Sequence, residues 1–253
     1  MRQFAITGVS TGIGHACASV LIERGSRVFG SVRTQADAEG LQREFGERFV
    51  PLLCDVTHES AVQRAAETVE RYLEGETLDG LVNNAGINDR VGLEHGSPKE
   101  YLASLERNLL HYYTMAHFCL PYLKTSQGSI VNISSKTAVT GQGGTSGYAS
   151  AKGAILALTR EWAAELLGYS IRVNAIVPAE VMTPLYRQWL SSFPNPDEKL
   201  KNIVAKIPLG ARMTEPVEIA NVAVFLLSAK AAHITGQHWF VDGGYVHLDR
   251  ALT

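Results

Sequence analysis

The sequence predicts an α/β protein, a doubly wound parallel sheet with helices on both faces. Short apolar segments alternate with longer amphipathic ones, which indicates repeated β-α-β units. The short segments are rich in Val, Ile, Leu and Phe, a composition typical of strands that are buried on both faces. Because crossovers between parallel strands are right-handed, these units restrict the topology to a doubly wound sheet.

Seven strands and the helix after the first one follow from the apolar pattern. Gly25 suits the C-terminal end of that helix. Its apolar face contains Ile13, Ala16, Cys17, Val20 and Leu21. The predicted strands are Gln3–Thr7, Val28–Val32, Val50–Cys54, Leu78–Asn83, Ile130–Ser134, Ile171–Val177 and His238–Val241.

One segment, residues 178–208, interrupts this rhythm and contains prolines at 178, 184, 194, 196 and 208. We find no internal repeat and no Pro/Gly/Ser-rich linker, so we expect one domain over residues 1–253. A long irregular segment inside a compact fold is often a lid over an active site, and we expect residues 179–208 to form one. A plain surface excursion is the alternative.

Composition excludes several classes of function. A net charge of −2 gives no basis for binding nucleic acid or an anionic membrane surface. The three cysteines are far apart and the eight histidines form no H-x-x-x-H pair, so we expect reduced thiols and no metal site. A strand pattern begins almost at the first residue, and no apolar run approaches the roughly 20 residues of a membrane span. We therefore expect a cytoplasmic protein.

A glycine-rich loop, TGVSTGIG at 7–14, joins the first strand to the first helix. Glycine lets the backbone come close to a pyrophosphate, and a helix N-terminus offers free N–H groups and the positive end of a dipole. The spacing is not the usual G-x-G-x-x-G, so a glycine-rich turn without ligand is the alternative. The residues expected to hold a dinucleotide are Gly8, Ser10, Thr11, Gly12, Ile13 and Gly14.

The end of the second strand distinguishes NADP from NAD. An acid there would bind the ribose 2′-hydroxyl of NAD, whereas a basic residue would accept the 2′-phosphate of NADP. No acid occurs between Gly25 and Ala36, and Arg33 can pair bidentately with a phosphate. Ser31 and Thr34 can add hydroxyl contacts. We expect NADP, with NAD as the alternative and a solvated Arg33 as the simpler interpretation.

Further candidates lie where the third and fourth strands end. Asp55 follows the third strand, where its side chain can meet an adenine edge. Asn83-Asn84-Ala85-Gly86 follows the fourth, and its small residues let backbone pass close to a flat ligand. Open α/β sheets bind ligands at these carboxyl ends, so we expect both segments at the cofactor.

Tyr148 and Lys152 are four residues apart at the start of a predicted helix that continues through Leu166, and so share one helix face. A neighbouring ammonium and the positive nicotinamide ring favour the phenolate, so we expect a lowered tyrosine pKa and proton exchange with an alcohol or carbonyl. Ser135, at the end of the fifth strand, can hold the reacting oxygen. Asn108 can tie Lys152 to a water chain. An ordinary amphipathic pair is the alternative for the first two residues alone.

Together these motifs resemble the short-chain dehydrogenase/reductase family over essentially the whole chain. The resemblance rests on TGVSTGIG, NNAG at 83–86, Asn108, Ser135 and YASAK at 148–152. It implies a Rossmann-type fold, usually a homotetramer, with Asn108, Ser135, Tyr148 and Lys152 as the catalytic tetrad. Ala179 departs from the Pro-Gly common in the family. Beyond the glycine loop, the cofactor contacts that we expect are Arg33, Asp55, Val56, Asn83, Ala85, Gly86, Tyr148, Lys152, Pro178, Val181 and Thr183.

From about residue 83 onward the chain is similar to the bacterial L-fucose dehydrogenase subgroup, which oxidises aldoses to lactones. This similarity rests on residues 88–98, 134–154, 178–186 and 242–252. The N-terminal part, notably 23–41, is closer to NADP-type carbonyl-reductase-like members. A hypothesis is that the two parts have different ancestors, joined by recombination or laboratory fusion.

Polar residues on the loops after strands four, five and six favour a sugar substrate, because sugar hydroxyls need polar partners at fixed places. A reductase of small ketones or 3-oxoacyl groups is the alternative, and a non-catalytic dinucleotide sensor a remote one. Tyr186 and Trp189 are candidates to cover a sugar face, although core packing explains them equally well. Solvated loop side chains explain the polar candidates equally well. The substrate residues that we expect are Asn88, Gln142 and Glu180, with Lys136, Glu94 and His95 as further candidates.

Overall fold

The computed structural model describes residues 1–249 and contains one parallel sheet with strand order β3-β2-β1-β4-β5-β6-β7. The strands are β1 (Gln3–Ile6), β2 (Arg27–Val32), β3 (Phe49–Leu53), β4 (Gly80–Asn83), β5 (Ser129–Ile133), β6 (Arg172–Pro178) and β7 (His238–Val241). The order reverses between β1 and β4, and the carboxyl ends of these two strands open the crevice in which such sheets bind ligands. The doubly wound sheet is confirmed. Part of the predicted motif at 242–252 lies outside the described residues.

Nine helices occur within residues 1–249, together with short 3₁₀ turns and one π-helical turn, Glu106–Leu110. The helices are α1 (Gly12–Glu23), α2 (Gln35–Phe45), α3 (Glu59–Leu73), α4 (Pro98–Leu105), α5 (His111–Ser126), α6 (Ser146–Glu165), α7 (Pro184–Leu190), α8 (Pro196–Val204) and α9 (Pro216–Leu227). As predicted, Gly25 lies just after the C-terminal end of α1, where its φ of +83° suits glycine.

Helices cover both faces of the sheet and bury one apolar cluster on each. On one face, Val20 of α1 and Val224 of α9 pack with Val82 of the sheet. On the other, Met115 of α5 and Ile155 of α6 pack with Leu81. Because neighbouring residues of β4 supply both clusters, the strand is apolar throughout, as expected for a sheet covered on both sides.

The segment 178–208 is more regular than its prolines suggest. Pro184 and Pro196 occupy the first turns of α7 and α8, where a missing N–H breaks no helical bond. Thr183 caps α7 by accepting a 3.2 Å hydrogen bond from the backbone N–H of Tyr186. The prolines therefore start two short helices instead of maintaining an irregular loop.

Within residues 1–249 no helix is long and apolar enough to cross a membrane. The same part of the chain contains no group of three or more His, Cys, Asp or Glu side chains arranged to hold a metal ion.

Candidate active site

The catalytic candidates meet where β5 ends and α6 begins. Tyr148 and Lys152 occupy the first turns of α6, and Ser135 caps the short turn after β5 by accepting a hydrogen bond from the N–H of Thr137 at 3.3 Å. Gly147 lets α6 approach α4, because a Cβ at this position would lie 2.5 Å from Oγ of Ser104. The helix can therefore present Tyr148 beside the strand end.

Lys152 is buried and held by two oxygen atoms. Its Nζ donates to Oη of Tyr112 and to the carbonyl of Ile133, each at 2.9 Å. Oη of Tyr112 in turn donates to the same carbonyl at 2.8 Å. Burial lowers the pKa of Lys152 to about 7, so its ammonium is much easier to deprotonate than an exposed one.

Burial raises the pKa of Tyr148 to about 12; a hydrogen bond with Ser135 lowers it and the charge of Asp89 raises it. Nζ of Lys152 lies 5.6 Å from the centroid of the Tyr148 ring. In the protein chain by itself, desolvation outweighs the favourable neighbours, and the lowering of the tyrosine pKa expected from Lys152 together with the nicotinamide ring stays a prediction. Formation of the phenolate requires further positive charge at this place.

Asn108 lies in the π-helical turn and is completely buried. Its Oδ1 accepts from the N–H of Ile87 at 2.7 Å, and its Nδ2 donates to the carbonyl of Ser104 at 3.0 Å. A Cβ at Gly86 would lie 3.0 Å from this Oδ1 and 3.5 Å from Nζ of Lys152. Asn108 thus fastens the loop after β4 beside Lys152, while its part in a water chain stays a prediction.

The glycine loop fits a dinucleotide phosphate. Gly8 and Gly12 have φ of +71° and +66°, and a Cβ at Gly14 would lie 2.2 Å from the carbonyl oxygen of Gly8. Thr11 precedes α1 without a side-chain cap, which leaves the first N–H groups of the helix free for an anion. A Cβ at Gly12 would lie 3.1 Å from Cγ2 of Thr183, so the loop and the segment after β6 share one crevice.

At the ends of β2 and β3, Arg33 is exposed, and its charge helps to lower the pKa of Asp55. The main cause of that lowering is hydrogen bonding from the N–H and hydroxyl of Thr57, at 3.0 and 2.8 Å. Ser31 accepts from the N–H of Gly8 at 2.8 Å, and Thr34 caps α2 through Asp37. Both hydroxyls therefore hold the protein's own backbone, and the role expected of Arg33 at a 2′-phosphate stays a prediction.

In the NNAG segment, Asn84 contacts the glycine loop, whereas Asn83 lies in the core. Nδ2 of Asn84 donates to the carbonyls of Thr7 and Gly8 at 2.9 and 3.0 Å, which ties this loop to the glycine loop. The side chain of Asn83 instead points into the core, where Nδ2 donates to Oδ1 of Asn132 at 3.0 Å. That amide joins two strands, and the cofactor contact expected at Asn83 stays a prediction.

Opposite the glycine loop, a charged cluster joins the ends of β5 and β6 to α7. Lys136 and Glu180 form an ion pair whose side chains are only 10% and 14% exposed. Oη of Tyr186 donates to the other carboxylate oxygen of Glu180 at 2.8 Å, and Nζ of Lys136 lies 4.1 Å from the ring centroid of Tyr245. We call Lys136, Glu180, Tyr186 and Tyr245 the Lys–Glu cluster.

The remaining substrate candidates are placed less favourably. Asn88 and Gln142 are exposed on the loops after β4 and β5. Glu94 and His95 extend into solvent, with side chains 86% and 88% exposed, and pair only loosely with each other. Trp189 packs between Tyr186 and Phe193 with Arg90 5.9 Å from its ring, so α7 also contacts the loop after β4.

Comparison with known proteins identifies the family. A profile described as "Enoyl-(Acyl carrier protein) reductase" matches residues 8–246. The L-fucose dehydrogenase of Bos taurus is 37% identical over 242 residues, which cover 94% of this chain and 87% of that protein. The chain belongs to the short-chain dehydrogenase/reductase family. The resemblance stated from the motifs is confirmed, while the hypothesis of two ancestral parts stays a prediction.

Other members of the short-chain dehydrogenase/reductase family are similar over nearly the full length. The 3-oxoacyl-[acyl-carrier-protein] reductase FabG of Thermotoga maritima is 32% identical and covers 95% of this chain and 96% of that protein. The crystal structure of Cj0485 dehydrogenase is 45% identical, with a TM-score of 0.94 over 100% of this chain and 96% of that one. Aldohexose dehydrogenase of Thermoplasma acidophilum is 31% identical, with a TM-score of 0.88 over 98% and 95%. The protein is an oxidoreductase of a family that uses nicotinamide cofactors.

For this short-chain dehydrogenase/reductase, sequence reasoning missed two tyrosines at the site. Tyr112 holds Lys152, and Tyr186 holds Glu180. The signal for Tyr112 was its position one helical turn after Asn108, which places the two on one face. Tyr186 was considered only as a cover for a sugar, since the contact with Glu180 depends on the fold of α7.

Proposed function

We propose that the protein oxidises the anomeric carbon of an aldose such as L-fucose to a lactone, with NADP⁺ as the preferred cofactor and NAD⁺ as the alternative. The observation that carries this proposal is the Lys–Glu cluster. Lys136 directly follows Ser135, and Glu180 lies between the end of β6 and Thr183. The buried charges therefore flank the place where a substrate meets the catalytic residues.

A buried ion pair is weak evidence for stability, because desolvating both charges offsets most of their attraction. In this cluster the pair leaves hydrogen-bonding capacity unused. An ammonium has three N–H donors, and a carboxylate has about four acceptor positions. Vicinal hydroxyls of a sugar can use this capacity, whereas an apolar ketone would leave it unpaired at a cost of about 1–3 kcal/mol per group.

The relatives support the same substrate class. One is an L-fucose dehydrogenase and one structural neighbour is an aldohexose dehydrogenase. The 3-oxoacyl reductase relative supports the alternative function, the reduction of small ketones or 3-oxoacyl groups. The cluster favours the sugar, because the acyl substrate has no row of hydroxyls for Lys136 and Glu180 to bind.

The chain's own residues divide the reaction among them. The glycine loop, Arg33 and Thr183 would bind the cofactor. When bound, the nicotinamide supplies a hydride acceptor and a positive charge. Ser135 orients the hydroxyl on C1, and Tyr148 takes its proton as the C–H bond gives up hydride, which leaves the lactone carbonyl.

Lys152 stabilises the phenolate of Tyr148 during this step. Its two oxygen partners hold Nζ at 5.6 Å from the centroid of the Tyr148 ring. Lys152 and the bound cofactor would together supply the positive charge that favours the phenolate. Oxidation should therefore become faster as pH rises, because the base must lose its proton before it accepts one.

The first test measures reduced nicotinamide by absorbance, with NAD⁺ and NADP⁺ each paired with L-fucose, D-arabinose, L-galactose and a simple secondary alcohol. We expect turnover with the sugars and a higher kcat/KM with NADP⁺. Turnover of the alcohol alone, or of 3-oxoacyl substrates in reverse, would replace the sugar proposal with the alternative. Silence with every substrate while cofactor still binds would favour a dinucleotide sensor.

A second test changes the cluster itself. Glu180→Gln and Lys136→Met should each lower kcat/KM for L-fucose about 10- to 100-fold, mainly through KM, since each removes hydrogen bonds to a charged group. Glu67→Gln is the matched control, because Glu67 is exposed on α3 and accepts a hydrogen bond from Gln63, one turn earlier on the same helix. Equal activity of the cluster variants and the control would remove the observation on which the sugar proposal rests.

We also propose a cytoplasmic homotetramer. Leu102, Leu110 and Tyr113 are 60%, 52% and 53% exposed on adjoining helices α4 and α5 and the turn between them, an apolar surface that a second subunit would cover. Light scattering of the purified protein tests the oligomer, and a monomer at micromolar concentration would contradict it.

A further inference from the structure

Tyr112 is the largest completely buried side chain next to the catalytic residues. It lies on α5, at the start of the helix that follows the π-helical turn. Its hydroxyl donates to the carbonyl of Ile133 at 2.8 Å and accepts from Nζ of Lys152 at 2.9 Å. Both capacities of the phenol are thus used, and one of them is used by a catalytic side chain.

The two tyrosines stand on different elements around one ammonium. Nζ of Lys152 lies 5.0 Å from the ring centroid of Tyr112 and 5.6 Å from that of Tyr148. The Tyr112 ring and hydroxyl come from α5, whereas Tyr148 comes from α6 together with the lysine. Within residues 1–249, removing the Tyr112 hydroxyl would leave Lys152 with the hydrogen bond to the carbonyl of Ile133.

The other titratable groups near Lys152 do not replace this contact. His111 on α5 is neutral, because burial and the lysine charge lower its pKa to about 3. Asp55 acts on His111, and Asp89 acts on Tyr148 from the loop after β4. Within the described residues, no carboxylate forms an ion pair with Lys152. Neutral oxygens therefore hold the ammonium.

We propose that Tyr112 is a positioning residue of the catalytic machinery: its hydroxyl holds the protonated side chain of Lys152 where it can stabilise the phenolate of Tyr148. An acceptor aimed at an ammonium favours the charged form of a buried lysine. The phenol also fixes the ammonium on the Ile133 side, so that the lysine does not fold back into the apolar core. This role depends on the proton transfer of the family and not on the sugar, and so stands apart from the proposed substrate.

The first experiment compares Tyr112→Phe with Tyr113→Phe in the full-length protein. Tyr113 is the next residue on the same helix, is 53% exposed and contacts His117 and Trp162, so it is a matched control for loss of one phenol hydroxyl. With whichever substrate the wild type turns over, Tyr112→Phe should lower kcat at neutral pH about tenfold with little change in KM, the loss expected for one hydrogen bond to a charged group. Tyr113→Phe should leave both constants unchanged.

The second experiment needs no substrate. Tyr112→Phe should lower the pKa of Lys152 below about 7 in the folded protein, while the pKa in the unfolded chain stays near its ordinary value. Below about pH 6, where the lysine is charged, the variant should be destabilised relative to wild type by more than it is at high pH. This additional destabilisation should disappear as pH rises through about 7, because the lysine is then neutral in the folded state. Denaturant unfolding of wild type and both Phe variants at several pH values measures this difference.

The outcomes distinguish the positioning role of Tyr112 from the proposed substrate. A destabilisation of Tyr112→Phe that is the same at every pH, with a kcat equal to that of Tyr113→Phe, would show that Tyr112 only fills space and would overturn the proposal. A pH-dependent loss of stability supports it even if no sugar is oxidised. Failure of every sugar with this pH signature intact would reject the substrate and leave the positioning role in place.

Discussion

The two halves of the ligand-binding edge are built from different materials. Around β1, β2 and β3, the surface is made of backbone: glycines at 8, 12 and 14, free N–H groups of α1, and one exposed arginine. Around β4, β5 and β6, it is made of buried and half-buried titratable side chains, namely Lys152, Tyr148 and the Lys–Glu cluster. The first half works through shape and fixed dipoles, whereas the second works through charges whose state depends on their neighbours.

This difference decides how each half responds to change. A backbone surface fails when an atom is added, because the glycines are in contact with other backbone. A side-chain surface fails when an atom is removed, because a buried partner is then left unsatisfied. Four predictions follow the comparison from one half to the other.

The largest effect is expected at the reacting end. Tyr148→Phe removes the hydroxyl that takes the proton and should lower kcat by about 10²- to 10⁴-fold, the range for loss of a general base. Cofactor binding, measured by the quenching of intrinsic fluorescence, should change little because the glycine loop is untouched. A variant that kept most of its activity would show that another group accepts the proton.

At the backbone half, Gly14→Ala adds one atom 2.2 Å from the carbonyl of Gly8. We expect loss of about 1–3 kcal/mol of unfolding free energy and much weaker cofactor binding, because the loop must move to admit the methyl group. Gly40→Ala is the matched control: nothing lies within 4 Å of its Cβ, and it is on helix α2. That control should stabilise by about 0.5–1 kcal/mol. Equal stability of the two variants would contradict the tight loop.

Lys152→Met separates stability from activity. Activity should be lost. Below pH 7, however, the free energy of unfolding of the variant should exceed that of the wild type by about 1 kcal/mol, because a buried charge is replaced by an apolar side chain. The folded pKa of Lys152 is lowered to about 7 from 10.5, so its cost is greatest below pH 7 and disappears as pH approaches 10.5. Denaturant unfolding across this pH range measures the gain in stability. A gain that did not shrink as pH rises would contradict the burial of the charge.

The smallest change is expected from Arg33→Ala. It should weaken NADP(H) binding about tenfold more than NAD(H) binding, because only the former presents a 2′-phosphate to the guanidinium. Titration of the variant with both reduced cofactors measures the ratio. Glu44 is exposed on α2, so Glu44→Ala controls for a general change of surface charge. Equal losses for both cofactors would mean that Arg33 is simply solvated.

The fold was readable from the sequence because its signals are local. Each predicted strand agrees with an observed one to within a residue at the carboxyl end, where the site lies. The main difference in length is at β4, which begins at Gly80 and not at Leu78. Asp79 ends the pairing there, since its carboxylate accepts from the N–H of Gln3 at 2.7 Å. Such a contact between distant residues leaves no trace in the apolar pattern.

The site was readable only in part, for the same reason. Motif spacing located Ser135, Tyr148 and Lys152, but it could not show that burial raises the pKa of Tyr148. Nor could it show that the hydroxyl of Ser31 accepts a hydrogen bond from the N–H of Gly8, 23 residues away. It also could not show that Nζ of Lys152 donates to the hydroxyl of Tyr112, 40 residues away. Partners brought together by the fold decide these properties, and a single sequence does not pair them.

The amide chain inside the sheet fixes the orientation of α6. Asn83 donates to Asn132, and Asn132 donates to the hydroxyl of Thr159 at 3.0 Å, which is on the same helix as Tyr148 and Lys152 but two turns further along. A helix anchored to two strands in this way cannot roll about its axis. The positions of Tyr148 and Lys152 are thus fixed by the sheet and not by the segment 179–208.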